Sequence, residues 1–354
     1  MLVIIFIITV CFIGCVSNAA SFRFYWQSKV SSTSNFLMTP ISLIDCITCV
    51  CFSLNTVILI KSATFTNMTF CQFIVYSRVT LATCSFCIVL LIGIDRFLTM
   101  YASSSSPKLS MKEAKIFTVG FIVFSFGFAV PDLYVTGIVE YKVEIATNVI
   151  LKGHYCTDLD DYKNVRQNHS IVKAATILII SAALVVMYAL IARKIGTSVQ
   201  GKDRTNVASP IRKECQTEVT DSETVNQQNP FIDNTVETYT TDTSNSQKDT
   251  YDCSNRRNIT RVYKLNRQTL VQRITVQAFL MTLVSIGSVI PLSVIKLASP
   301  LKKYEYPLWM SFLYHTYLLR SCANPFIIGF CNRKFRQYCK EILCHFCFKL
   351  RLHN

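Results

Sequence analysis

Asp45, Arg78, Asp95, Arg96 and Arg320 each stand inside or at the end of a stretch that is otherwise apolar. Charge in such surroundings is costly and persists only where it is paired or put to use. The chemistry open to these groups is ionic. A carboxylate can hold a guanidinium, a guanidinium can take an acidic group from outside the chain, and a pair can exchange partners. In "LLIGIDRFLTMY" (90–101) the charge-free run from Val79 to Ile94 ends in Asp95 and Arg96 side by side. No nucleophile–base arrangement and no membrane His/Glu metal motif accompanies these residues. Neither an enzyme nor a metal or cofactor site is expected.

The apolar runs must position these groups. The 354 residues are 51% hydrophobic and 16% charged, whereas a soluble protein is about a quarter charged. Residues 2–22, 36–60, 79–94, 116–131, 174–192, 274–295 and 306–319 lack Lys, Arg, Asp and Glu, apart from Asp45. About 20 residues cross the hydrocarbon core as helix, and lipid offers a backbone no other hydrogen-bond partner. The expected fold is an all-α membrane protein with seven transmembrane helices at about 2–24, 36–60, 71–100, 114–137, 171–195, 270–297 and 306–330. The first run also resembles the apolar core of a signal peptide. It lacks a basic start, however, and "SFRFYW" supplies an aromatic and basic membrane edge, so a retained helix is expected.

With the N-terminus outside, Arg23, Lys29, Arg96, Lys108, Lys112 and Lys115 fall on the inner side. The basic residues of 194–269 and of the tail after Cys331 join them there, as the bias of cytoplasmic loops toward Lys and Arg requires. The net charge of +15 then reads as contact with anionic membrane lipids, not nucleic acid. The expected location is the plasma membrane, as a multi-pass protein. On this topology only Cys71 and Cys156 of the sixteen cysteines lie on the oxidising side, which predicts one disulfide between them. Asn67-Met-Thr and Asn168-His-Ser lie outside as glycosylation sites, whereas Asn258-Ile-Thr lies inside.

The chain divides into four sections. Residues 1–196 hold the first five transmembrane helices with their loops, and 259–331 hold the sixth and seventh. Between them, 197–258 is rich in Thr, Ser, Asp, Asn and Gln, too polar to order itself, and is expected to be a disordered third cytoplasmic loop. Residues 332–354 form an amphipathic helix and cytoplasmic tail. In the outer loop, Tyr141, Val143 and Ile145 alternate with polar residues and Val149–Leu151 follow a turn-like Thr-Asn, predicting a short β-hairpin.

Seven spans, an Asp-Arg pair ending the third and "NPFIIGF" in the seventh together resemble the rhodopsin-like G protein-coupled receptors. Cys71 lies 25 residues before Arg96 (96 − 71), where the family keeps its disulfide cysteine. "NFLMTPISLID" resembles the second-span motif ending in a buried Asp, here Asp45. Gly14 and Asn18 match the first-span motif, and Asn324-Pro325 the seventh-span pair. "FCNRKFRQYCKEILCHFC" resembles the amphipathic helix on the inner leaflet, with Cys344 and Cys347 as palmitoylation candidates. The resemblance implies a receptor that binds an extracellular ligand and activates a heterotrimeric G protein. It implies that Asp95 holds Arg96 at rest and that Arg96 is then released, with Tyr188 as partner and Asn324 and Pro325 completing the switch. The family pattern is broken at Ile328, Val289 and Val271, and span five lacks its Pro.

Arg320 and Arg78 are further departures. The resemblance places Arg320 where a small polar residue normally shares a sodium site with Asp45, Ser85 and Ser321, beside Asn18. The expectation is an internal ion pair between Arg320 and Asp45 in place of sodium; the alternative is that Arg320 points to another polar cavity. Arg78 stands where amine receptors of the family carry an Asp, which argues against a monoamine and favours an acidic group. The alternative is an internal pair with Glu140 or Asp158. Leu318, at the opsin lysine position, argues against retinal. Tyr314, His315 and Tyr317 are expected around the ligand. With the hairpin and the acidic cluster Asp158–Asp161, the chain looks most like a receptor for a peptide, such as a neuropeptide. A receptor for a small carboxylate, and one with weak or no G protein coupling, are the alternatives. A transporter would show an inverted repeat, which is not evident.

Overall fold

The computed structural model describes residues 2–28, 32–60, 65–101, 108–146, 149–207, 272–295 and 306–353. Asn258, Val271 and most of the polar segment 197–258 lie outside these residues. Six helices are long and apolar enough to cross a membrane: α1 (Leu2–Gln27), α2 (Thr33–Ile60), α3 (Met68–Tyr101), α4 (Met111–Val135), α5 (Lys163–Val207) and α6 (Gln272–Ile295). Their surfaces are inverted relative to a soluble protein. Phe12, Ile116, Val123, Leu178 and Ile179 are exposed large hydrophobics, whereas Asn18, Asp45, Ser85, Ser285 and Asn324 are buried. That arrangement suits helices whose outer faces meet lipid and whose polar groups must find partners inside.

The seventh crossing is split. The expected continuous helix over 306–330 is instead α7 (Leu308–Tyr314) and α8 (Leu318–Cys331), joined by a tight turn. His315, Thr316, Leu318 and Leu319 each donate a backbone N–H to the carbonyl three residues earlier, at 3.0, 3.2, 3.1 and 2.9 Å. This is 3₁₀ winding, a common insert where a helix changes direction. The Thr316 hydroxyl ties the turn to α6 through the Ser288 carbonyl at 3.1 Å. Beyond α8, Asn332 redirects the chain into α9 (Arg333–His353), whose first turn it caps through the N–H groups of Lys334 and Phe335.

Other ends are set locally. Ser110 and Glu113 form a reciprocal capping box at the start of α4, with bonds of 3.2 and 2.8 Å. The Asn67 side chain accepts from the Phe70 N–H at 2.9 Å and starts α3. Helix α5 begins before the predicted 171 and runs to Val207, so residues 197–207 are helical, not part of a structureless loop. An established helix extends at little cost once its nucleus exists. Residues Ile195–Leu270 form a separate unit, of which the described part is this end of α5.

Helix α1 packs on α2 and α8, and α3 packs on α2 and α4. Two glycines permit close approach. A Cβ on Gly14 would lie 2.5 Å from Cys49 Sγ on α2, and one on Gly93 would lie 2.7 Å from a Leu184 methyl on α5. The outer loop forms β1 (Thr136–Ala146) paired antiparallel with β2 (Val149–Asp158). The hairpin extends further toward α4 than the predicted alternation at 141–151. Leu159 closes its base by donating to the Val135 carbonyl at 2.7 Å.

Candidate functional site

Three groups of residues lie along the long axis of α3. At its inner end Asp95 and Arg96 are both buried. Arg96 donates from Nε to Asp95 Oδ2 at 3.0 Å and from Nη2 to the same oxygen. Ser34 of α2 completes the set: its hydroxyl donates to Asp95 Oδ2 at 3.1 Å and accepts from Arg96 Nη2. Tyr188 of α5 is buried and meets Phe279 of α6 edge-on, with ring centroids 5.4 Å apart. Sequence reasoning missed Ser34. Its only signal was a hydroxyl at the start of the second span, and nothing local links it to a residue 62 positions away.

The second group centres on Asp45, which is 1% exposed. Its carboxylate accepts from Ser321 Oγ at 2.9 Å, Asn324 Nδ2 at 2.6 Å and Ser85 Oγ at 3.3 Å. Asn18 donates to the Gly14 carbonyl at 2.9 Å and to the Ser321 carbonyl at 2.7 Å. The second bond has a local cause. Pro325 has no N–H to give the carbonyl four residues earlier, which is that of Ser321, so Asn18 takes the place of the missing helix donor. Proline in α8 thereby fastens α8 to α1.

Arg320 differs from the expected direct pair with Asp45. No ion pair within 4.0 Å joins them among the described residues; Arg320 Nη2 donates instead to Ser85 Oγ, which in turn donates to Asp45. The guanidinium also lies over the Phe86 ring, 5.3 Å from its centroid. The Ser85 hydroxyl of α3 thus stands between the side chains from α2 and α8 and bonds both.

The third group lines a cavity of about 160 Å³ between α3, α4, α5, α6 and the α7–α8 turn. Arg78, Lys173, Arg320, Tyr314 and Tyr317 reach it from different elements, and Val79, Phe86, Ile180, Val289 and Leu292 give it apolar walls. Phe86 lies two helical turns along α3 from Arg78, so the two arginines mark different depths. His315 is not among the lining residues; it is buried, with Nδ1 2.7 Å from the Ser311 carbonyl. Glu140 does not pair with Arg78 but faces Lys152 across the hairpin at 3.6 Å. Lys173 was also missed. It bonds Asp132 of α4 at 2.7 Å, and His169, one turn earlier on α5, meets the same carboxylate at 3.0 Å. The four-residue spacing of His169 and Lys173 was the available signal.

Above the cavity Cys71 and Cys156 form a disulfide that ties the outer end of α3 to β2. Asn67 and Asn168 are exposed near this end. Cys344 is exposed on α9, while the Cys347 side chain lies outside the described ones.

Residues 19–328 match the family model described as 7 transmembrane receptor (rhodopsin family). The chain belongs to this family. No curated protein matches it. The receptor is a multi-pass plasma-membrane protein, and its family joins extracellular ligands to G proteins. Ile328 of the receptor, at the position of the family's tyrosine, is fully buried, and Val289 forms part of the cavity wall.

Proposed function

We propose that the receptor binds an extracellular ligand carrying an acidic group, and that the ligand is a peptide that inserts an acidic side chain or its C-terminal carboxylate. Binding then activates a heterotrimeric G protein through release of Arg96. One observation carries the reading of the ligand: Arg78 lines the cavity beside Tyr314 and Tyr317, with no carboxylate within ion-pair distance among the described residues. A guanidinium at membrane depth calls for a counter-charge, and an incoming carboxylate supplies it with fixed geometry. The hairpin, tied by its disulfide to the outer end of α3, would offer strand backbone to an extended peptide. A small carboxylate with an apolar body is the second reading, favoured by the modest cavity volume of about 160 Å³.

The test is a panel of peptides and of aliphatic carboxylates applied to cells expressing the full chain, read by nucleotide exchange on co-expressed G proteins. Arg78→Gln should weaken the response to any agonist found by about 10–100-fold in potency, the loss expected for one charged hydrogen-bond partner. An agonist without any acidic group, or one whose potency Arg78→Gln leaves unchanged, would remove the basis for an acidic ligand.

A further inference from the structure

The Asp45 network raises a problem of charge. A carboxylate buried in the middle of a helix bundle needs a positive partner, because neutral donors alone do not compensate for the loss of water. Ser321, Asn324 and Ser85 are all neutral, and Asp45 takes part in no ion pair among the described residues. The nearest cation in the network is Arg320, which reaches Asp45 through one hydroxyl. Arg320 is itself 4% exposed, bonded to Ser85 and stacked on Phe86. Each of the two charges is thus without another buried counter-charge in this network.

We propose that Arg320 is a tethered counter-ion for Asp45, relayed by Ser85, and that it keeps free monovalent cations out of this site. The geometry supplies both halves of the claim. The Ser85 hydroxyl is polarised in one direction, accepting from the guanidinium and donating to the carboxylate, so the pair's attraction is transmitted without direct contact. A sodium ion entering beside Asp45 would meet the guanidinium as a like charge and would find Ser85 already engaged. Arg320 also forms part of the cavity wall, and its Nε has no hydrogen-bond partner among the described residues. The counter-ion therefore keeps one buried donor unused while its Nη2 serves Ser85.

The experiment needs neither ligand nor G protein, so its failure and that of the functional reading are separable. The full chain is purified in lipid nanodiscs, and its unfolding midpoint is measured in sodium chloride against choline chloride at equal ionic strength, about 0.15 M. Wild type should show no sodium-specific shift. Arg320→Gln, which vacates the cation position while Asp45 remains, should gain a sodium-specific rise of about 2–3 °C. Asp45→Asn in that background should abolish the rise. A sodium-specific rise in wild type would overturn the proposal, as would a folded Arg320→Gln receptor without one. Should Arg320→Gln alone yield no folded protein, Asp45→Asn/Arg320→Gln must restore folding, because removing both charges removes the imbalance. Failure of that rescue would also overturn it.

Discussion

Ser34 shows how a single hydroxyl can set the balance of a charged pair. Its hydroxyl donates a hydrogen bond to Asp95 and accepts one from Arg96, closing a ring of three side chains on two helices. Asp95 and Arg96 are adjacent in sequence, so their pairing alone fastens nothing to α2; Ser34 does. Ser34→Ala removes both bonds yet leaves the ion pair intact. Each of these bonds is to a charged group and contributes about 1.5–3 kcal/mol, so losing both moves a two-state equilibrium by at least about tenfold. On the proposed coupling, Ser34→Ala should raise ligand-independent nucleotide exchange by about that factor at equal surface expression. Exchange at or below the wild-type level would mean that this ring does not restrain Arg96.

At the scale of elements, the spacing of α1 and α2 rests on the absence of a side chain at Gly14. Adding a Cβ there would place it 2.5 Å from Cys49 Sγ, a distance no such contact tolerates. Overpacking of this kind costs about 1–3 kcal/mol, so Gly14→Ala should lower the unfolding midpoint by about 2–5 °C. Cys49→Ala removes the opposing sulfur, and Gly14→Ala/Cys49→Ala should recover most of the loss relative to Cys49→Ala alone. Additive losses in the double variant would show that the contact does not set the helix spacing. The elements themselves were largely legible in the residues, because runs lacking charge for 20 residues have one stable form in lipid. The hairpin was legible from its alternation, though its first strand extends through Gly137 to Thr136, where alternation is absent. The break at His315–Tyr317 was not legible: it lacks Pro and Gly, and depends on backbone bonding and on Thr316 reaching α6. The same limit hid Lys173 with Asp132 and the Ser85 relay, since both require knowing which faces of distant helices meet.

For the whole molecule, the disulfide and the Asp95–Arg96 pair mark opposite ends of α3, and with them opposite sides of the membrane. Disulfides persist on the oxidising side, so the hairpin, Asn67 and the start of α5 with Asn168 share the exterior. Helix α9 follows the inner end of α8 and is rich in basic residues, which on the expected topology would face the anionic inner leaflet. On the topology expected from the basic residues, the polar segment that holds Asn258 lies on that inner side, an expectation open to test. Glycan transfer reads this orientation directly, because it occurs only on the lumenal face that becomes the exterior. Asn67 keeps its Oδ1 for the Phe70 N–H while its Nδ2 stays available, so capping of α3 and a glycan are compatible there. Asn168 stands exposed on α5. Asparagine-to-glutamine changes at Asn67 and Asn168 should each remove one step of the mobility shift that a glycosidase produces on receptor from human cells. Asn258→Gln should change nothing. A step lost with Asn258→Gln would place the segment between α5 and α6 outside the cell, reversing the orientation and turning the Arg96 end of α3 away from any G protein.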